Sequence, residues 1–266
     1  MNLARDAFLV GSSVAAGAIN SVAGGGTLLS FPAAMASGMP AVIANATNAV
    51  AMTPGSLAAG WGYRRFLGEK ARLAAWLLLP AAVGATLGAY ILRHTPSSLF
   101  EAIVPWLILG ATLVILLQQL GLRVGAQAAQ PSSDASPDSS ADAARRLPLI
   151  MFFQLLVGIY AGYFGGAMGI IMLAYLSLLG GMEIHQMNAI KNLLAALMNG
   201  VASIYFIACG MVDARGALLM TAGAVAGGFI GARIARRIQP RVVRWAVIVI
   251  GLSLAAAFAV RHFVKT

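Results

Sequence analysis

The chain is short of the residues from which soluble enzymes usually build their chemistry. Among 266 residues it has one cysteine, three histidines and eight acidic side chains. A single cysteine, Cys209, excludes an internal disulfide and a cysteine-rich metal site, and it reads as an inert core thiol. His94 and His262 fall at the ends of apolar stretches with no ligand partners, so neither a metal site nor a cofactor is expected. No phosphate-loop motif and no nucleophile–base pair appears, which argues against an enzyme. Charge is scarce as well: 10% of residues are charged, against about 25% in ordinary globular domains. That deficit excludes a conventional water-facing surface.

What fills the chain instead is apolar sequence. Sixty per cent of residues are hydrophobic and the mean hydropathy is +0.84. Crossing a bilayer takes about 20 mostly apolar residues. Ala41–Trp61, Ala71–Leu92, Leu99–Leu120, Met187–Ile207, Ala214–Ala235 and Val242–Val260 meet that length. Ala7–Ala36 and Leu147–Leu179 are apolar too, but broken by glycine. The expected class is an all-α, multi-pass integral membrane protein, with the lipid bilayer as its solvent. The net charge of +10 does not indicate nucleic acid: the Lys and Arg residues sit at the ends of spans, where they set orientation. Arg5, Ala7–Ala18 and Ser21-Val22-Ala23 mimic a cleavable signal. Their counterpart Leu149–Gly166 is internal, so the first segment is expected to be retained.

The chain repeats itself. Ala23-Gly24-Gly25-Gly26-Thr27, Gly38-Met39-Pro40 and Asn45-Ala46-Thr47-Asn48 return about 143 residues later as Gly165-Gly166-Ala167-Met168-Gly169, Gly181-Met182-Glu183 and Asn188-Ala189-Ile190-Lys191. The same offset carries Gly84 and Gly88 onto Gly227 and Gly231. Glycine breaks at matching places in two apolar halves are a pointer to a transporter site. The divisions expected are a first membrane repeat, 1–120, a flexible polar linker, 121–146, and a second repeat, 147–266. Each repeat would hold one glycine-broken, re-entrant helix and three transmembrane helices.

Charge placement bears on how the repeats are related. The loop with Arg64, Arg65, Lys70 and Arg72 is basic, while its counterpart near Asp213 has only Arg215. The loop with Arg93 is poor in charge, while its counterpart holds Arg233, Arg236, Arg237, Arg241 and Arg244. Opposite bias in equivalent loops is what inverted repeats produce. The inverted arrangement puts Arg64–Arg72, the linker and Arg233–Arg244 in the cytoplasm and both termini outside. Four crossings per half in parallel orientation is the competing topology.

Candidate site residues follow from the same pattern. Gly24, Gly25 and Gly26 free backbone N–H groups, and Thr27 is expected to cap the helix Leu28–Ala36. Gly165, Gly166 and Gly169 would do the same from the other side, so that two helix N-termini converge on one anion. Gly84, Gly88, Gly227 and Gly231 read as packing glycines. Lys191, flanked by Asn188 and Asn192, is the basic residue set well inside an apolar span, and such a cation marks a substrate, ion or proton pathway unless it snorkels to the surface. Its first-half equivalent is Asn48, one turn from Asn45. His185 lies just before that span and is the candidate for proton coupling. Pro54 is expected to kink the first asparagine-bearing span. Asn199, Tyr160 and Tyr163 either line the pathway or bond between helices; both options stay open.

Asn20 to Gly26 (Asn-x-x-x-Gly-Gly-Gly), Gly38-Met39-Pro40 with Asn45-x-x-Asn48, and Gly158-x-x-x-Gly162-x-x-Gly165-Gly166 resemble the TauE/SafE family of sulfite-exporter-like membrane permeases. The resemblance implies secondary transport, usually outward, of a small sulfur-containing anion such as sulfite or an organosulfonate, in the inner membrane of a bacterium. It also adds Asn20 to the candidate substrate-binding set. Two departures stand out: Ala167-Met168 inside the second glycine cluster, and Lys191-Asn192 where small or hydroxyl residues are expected. The second adds a charge that suits an anion. An anion-selective channel built on the same glycine mouths is the alternative reading. The partners expected are a small anion and lipid; whether the chain forms a homodimer is left open.

Overall fold

The computed structural model describes residues 3–22, 25–119, 139–177, 182–234, 245–253 and 255–256. Their regular secondary structure is all helix, with no strand among them. The order is α1 (Leu3–Val22), α2 (Thr27–Ala36), α3 (Ala41–Tyr63), α4 (Ala71–His94), α5 (Ser97–Gln119), α6 (Ser139–Tyr163), α7 (Met168–Ser177), α8 (Ile184–Ala208) and α9 (Ala214–Ile234). Residues 245–253 are also helical, and two 3-10 turns, Arg64–Phe66 and Gly68–Lys70, join α3 to α4. The two glycine-broken segments are thus helix pairs, α1–α2 and α6–α7, each with a ten-residue second member.

Local sequence accounts for several boundaries. Pro40 precedes α3 in an extended conformation and supplies no N–H, which suits the residue ahead of a helix. Glu183 and Gln186 form a reciprocal capping box that starts α8 at Ile184, one turn earlier than hydropathy places it. Lys191 therefore lies about two turns inside its helix. α6 begins at Ser139, within the stretch assigned above to a loop; Ala141, Ala143, Ala144, Arg145 and Arg146 are strong helix formers and carry the helix back into it. The remainder of that linker, 120–138, is outside the described residues. α3 continues as helix through Pro54; Thr53 and Ser56 hydroxyls donate to the Ala49 and Met52 carbonyls beside it.

Gly68–His94, Ser97–Leu117 and His185–Ala208 are long and apolar enough to cross a membrane. α3 has 23 residues but is not among them, because Asn45, Thr47, Asn48, Thr53 and Ser56 dilute its hydropathy. Leu79, Trp106, Leu218 and Phe229 are 69–74% exposed. On a water-soluble surface such residues would be a liability; around an apolar bundle they face lipid.

Contacts between the halves organise the bundle. α1 packs along α9, α6 along α4, and α3 along α8. The first two contacts are made by glycines. A Cβ at Gly84 or Gly88 would fall on the Leu155 or Ile159 carbonyl, and one at Gly223 or Gly227 on the Val10 or Val14 carbonyl. Backbones that approach this closely maximise van der Waals contact where no hydrophobic force separates helix from lipid. Leu9 of α1, Met39 just beyond α2, and Asp213 and Gly216 at the start of α9 line one recess, so α1 enters and α2 returns at the same end of the bundle. Asp6 and Arg215 pair at 2.5 Å at that end. At the opposite end His185 stacks on Phe66, centroids 5.1 Å apart.

The glycine contacts make a clean comparison. Gly227→Val should lower stability by about 1–3 kcal/mol or more, the range for overpacking. Gly228→Ala, next door but with open space at its Cβ position, should be neutral or stabilising by up to about 1 kcal/mol. Thermal unfolding in detergent measures both, and equal shifts would dispose of the packing role.

Candidate functional site

Both breaks occur deep in the bundle, and each is built on a left-handed residue. Gly25 has φ +87° and Gly165 φ +76°, values glycine adopts without a Cβ penalty. Ala167 has φ +57°, the positive-φ non-glycine among the described residues. It is held there by the turn that starts α7. Thr27 does not cap α2 as expected. Gly26 occupies the cap position with helical φ and ψ, and Thr27 is the first helical residue. A side-chain cap needs an extended cap residue. Gly26 is instead pressed against the Ala16 carbonyl, where a Cβ has no room.

Broken helices expose carbonyls that lipid cannot solvate, so protein groups must bond them. Asn45 Nδ2 donates to the Tyr163 carbonyl at 2.9 Å. The Tyr160 hydroxyl reaches across the turn to the Gly166 carbonyl at 2.5 Å. The Ser30 hydroxyl lies 3.1 Å from the Gly26 carbonyl and 2.5 Å from Asn48 Oδ1. Asn45 and Asn48 are 3% and 2% exposed, so these bonds form away from lipid and bulk water alike. Behind them Phe31 of α2 packs edge-on against Phe164 (5.6 Å, 87°) and Phe100, and Phe100 against Tyr163 (5.5 Å). This aromatic cluster ties the start of α2 to the turn before α7.

In front of the breaks is a cavity of about 440 Å³. Asn20, Gly25, Thr27, Asn45, Asn48, Gly165, Gly169, Asn188, Lys191 and Asn192 all line it. Gly26 and Gly166 do not. Gly26 serves α1–α2 packing, and Gly166 is buried behind the Phe164 ring with its carbonyl on Tyr160. Gly24 lies outside the described residues. His185 is exposed, stacked on Phe66, and lines no part of the cavity.

The lining has a distinct electrostatic character. Lys191 and Tyr63 are its titratable side chains, and no carboxylate is among its residues. Lys191 Nζ donates to Asn188 Oδ1 at 3.0 Å. Its stem runs along Gly169, where a Cβ would sit 3.3 Å from Lys191 Cδ. Gly169 is the second residue of α7, so the ammonium stem and the positive end of that helix share one wall.

Sequence reading missed Ser56, although the signal was available. Asn45, Asn48, Met52, Ser56, Ala59 and Tyr63 recur at three- and four-residue spacing and form the cavity face of α3. Asn199, for which two roles were open, serves both: it lines the cavity and donates to Ser56 Oγ at 2.8 Å. Tyr160 and Tyr163 belong to the scaffold instead.

A helical bundle with a lipid-facing apolar surface and a polar cavity at two broken helices defines a membrane transporter. The chain belongs to the sulfite exporter TauE/SafE family, whose profile matches residues 9–258. It is 26% identical over 242 residues to a probable membrane transporter protein of Haemophilus influenzae, covering 90% of this chain and 88% of that one. It is 27% identical over 251 residues to probable membrane transporter protein ORF9 of Sinorhizobium (94% and 90%). YfcA of Escherichia coli K12, also named a probable membrane transporter protein, is 27% identical over 249 residues (91% and 84%). No solved structure matches.

The scaffold bonds separate residues that build the cavity from residues that merely line it. Asn45→Ala strands the Tyr163 carbonyl and should cost about 1–3 kcal/mol of stability. Asn192→Ala removes a lining amide and should stay within about 0.5 kcal/mol. Equal melting temperatures for the two variants would remove Asn45 from the scaffold.

Proposed function

We propose that the chain is a secondary transporter, working outward across a bacterial inner membrane, for a small sulfur-containing anion such as sulfite or an organosulfonate. The observation that carries this reading is the unbalanced positive wall of the cavity. Lys191 and the N-terminus of α7 meet at Gly169, and the lining offers amide and hydroxyl groups but no carboxylate. A helix end carries roughly half a positive charge. An anion between that end and the ammonium is attracted by both, and its oxygens accept bonds from the asparagines around it.

Alternating access between inverted halves is part of the same reading, and the α3–α8 contact supports it. These helices run antiparallel: Thr53 bonds Ser203 at 2.7 Å, Ser56 meets Asn199, and a Cβ at Gly60 would lie 3.5 Å from Ala196 Cβ. Ser56 and Asn199 are 143 residues apart, the offset of the sequence repeat. A two-fold axis between them exchanges Thr53–Ser203 with Ala196–Gly60. Such an axis in the membrane plane relates inverted repeats.

Binding is tested by thermal stabilisation of the purified protein with sulfite, sulfoacetate, taurine and thiosulfate. Lys191→Met should weaken binding of the anion that stabilises best by about 1–3 kcal/mol, roughly 5- to 150-fold in Kd. An unchanged Kd would end the role of Lys191. Saturable counterflow in liposomes supports a carrier, whereas single-channel conductance would make the protein an anion channel. Orientation is tested separately, in a Cys209→Ala background. Glu69→Cys should react with impermeant maleimide from the cytoplasm and Ala214→Cys from outside; labelling of both from one side would restore parallel halves.

A further inference from the structure

We infer that Lys191 is also the coupling group, and that each anion crosses the membrane together with one proton carried on its Nζ. The inference rests on the anion site proposed above. His185, the residue that sequence alone suggested for coupling, is exposed and faces Phe66 rather than the cavity. A group that touches the substrate and can also release a proton couples the two directly, and Lys191 is placed to be that group.

The surroundings of Lys191 decide what happens when the anion leaves. Elements packed against α8 are α3, α4, α6, α7 and the two 3-10 turns. From α3, Tyr63 is the titratable group facing the cavity; Tyr160 and Tyr163 of α6, Tyr175 of α7, and Tyr90 and His94 of α4 are outside its lining. Arg64, Arg65, Glu69 and Lys70 on the turns, Arg72 and Arg93 on α4, and Glu183 and His185 at the start of α8 are not in the cavity lining, and all except the half-buried Lys70 are exposed. The one described ion pair, Asp6–Arg215, is at the other end of the bundle. Among the described residues, therefore, no carboxylate replaces the anion as a counter-charge. An ammonium left beside a helix N-terminus, in a lining that has no carboxylate, faces positive charge with no counter-charge.

The cycle balances simply. The protonated amine and a monovalent anion form a neutral pair in the cavity, and the loaded protein turns over. When the anion departs, Nζ passes its proton to water on that side and becomes a neutral amine. The empty cavity returns uncharged, and Nζ takes a proton from water on the first side. One proton and one negative charge have crossed together, so the net charge moved is zero. Membrane potential then exerts no force on the cycle, while a pH gradient does. An inward proton gradient opposes export by this route, so net outward movement requires the outward anion gradient to exceed it.

The full chain in proteoliposomes tests this with radiolabelled isethionate, a sulfonate ionised throughout the working pH range, so that any proton movement belongs to the protein. A pH gradient of one unit, alkaline inside, should drive about tenfold accumulation, the equilibrium for one proton per anion. A potassium–valinomycin potential should have no effect. Lys191→Arg, whose guanidinium stays charged, should lose net flux by at least about tenfold more than it loses isethionate exchange, because the empty site cannot return neutral. Accumulation driven by potential and indifferent to pH overturns the coupling and leaves the anion site standing. Loss of exchange and net flux by equal factors in Lys191→Arg overturns it as well. Absence of both flux and exchange for isethionate and sulfite in the unmodified protein would overturn the anion-transport reading, and the coupling with it.

Discussion

Everything in this bundle depends on one constraint: backbone groups freed by a helix break inside a membrane must be bonded by the protein itself. The chain breaks two helices, and two carbonyls at the second break end on specific side chains. Tyr163 meets Asn45 and Gly166 meets Tyr160, while the Gly26 carbonyl accepts backbone N–H groups of the first turn of α2. The Asn45 bond ties α3 to the end of α6, and the Ser30–Asn48 bond ties α2 to α3. The cavity is what remains in front of that hydrogen-bonded wall. Polar residues that look wasteful in an apolar helix are there because the alternative is an unpaired carbonyl in a medium that offers no partner.

The same constraint explains the division of labour among glycines. One group, Gly25 and Gly165, provides left-handed backbone at the turns. A second, including Gly84, Gly88, Gly223 and Gly227, lets α4 and α9 approach α6 and α1 until a side-chain carbon would fall on a carbonyl. The turns make the site, and the close contacts hold each broken pair against the opposite half of the chain. Because α1 leans on α9 and α6 on α4, neither half is a self-contained unit. Each broken pair therefore touches the other half through backbone rather than through flexible side chains.

How far the site could be read from residues alone varies by position. Asn45, Asn48, Asn188 and Lys191 were found because they repeat at one offset and interrupt otherwise apolar helices; that interruption is also why α3 drops out of a purely hydropathic search for spans. The glycine clusters were found the same way, but not their separate jobs. Gly25 and Gly26 are adjacent and identical in composition, yet one lines the cavity and the other packs against Ala16. His185 and Lys191 show the opposite error. Six residues apart in sequence, they were both candidates for the pathway, and the capping box at Glu183 settles their fates by setting where α8 begins. That start leaves His185 in the first turn at the surface and carries Lys191 two turns inward.

The sequence by itself determined the class of protein, the duplication, the places where helices break and the residues at which an apolar span carries polarity. These follow from composition, spacing and local propensity, which act over a few turns of chain. Only the tertiary structure decided which polar residues hold the scaffold and which face open space, because hydrogen bonds such as Asn45 to Tyr163 and Ser56 to Asn199 join residues 118 and 143 positions apart. It also decided that Lys191 lies against the start of α7. Local sequence governs where a helix starts and stops. Which helix end meets which side chain is set by close packing of the two halves, and no short-range pattern encodes that distance.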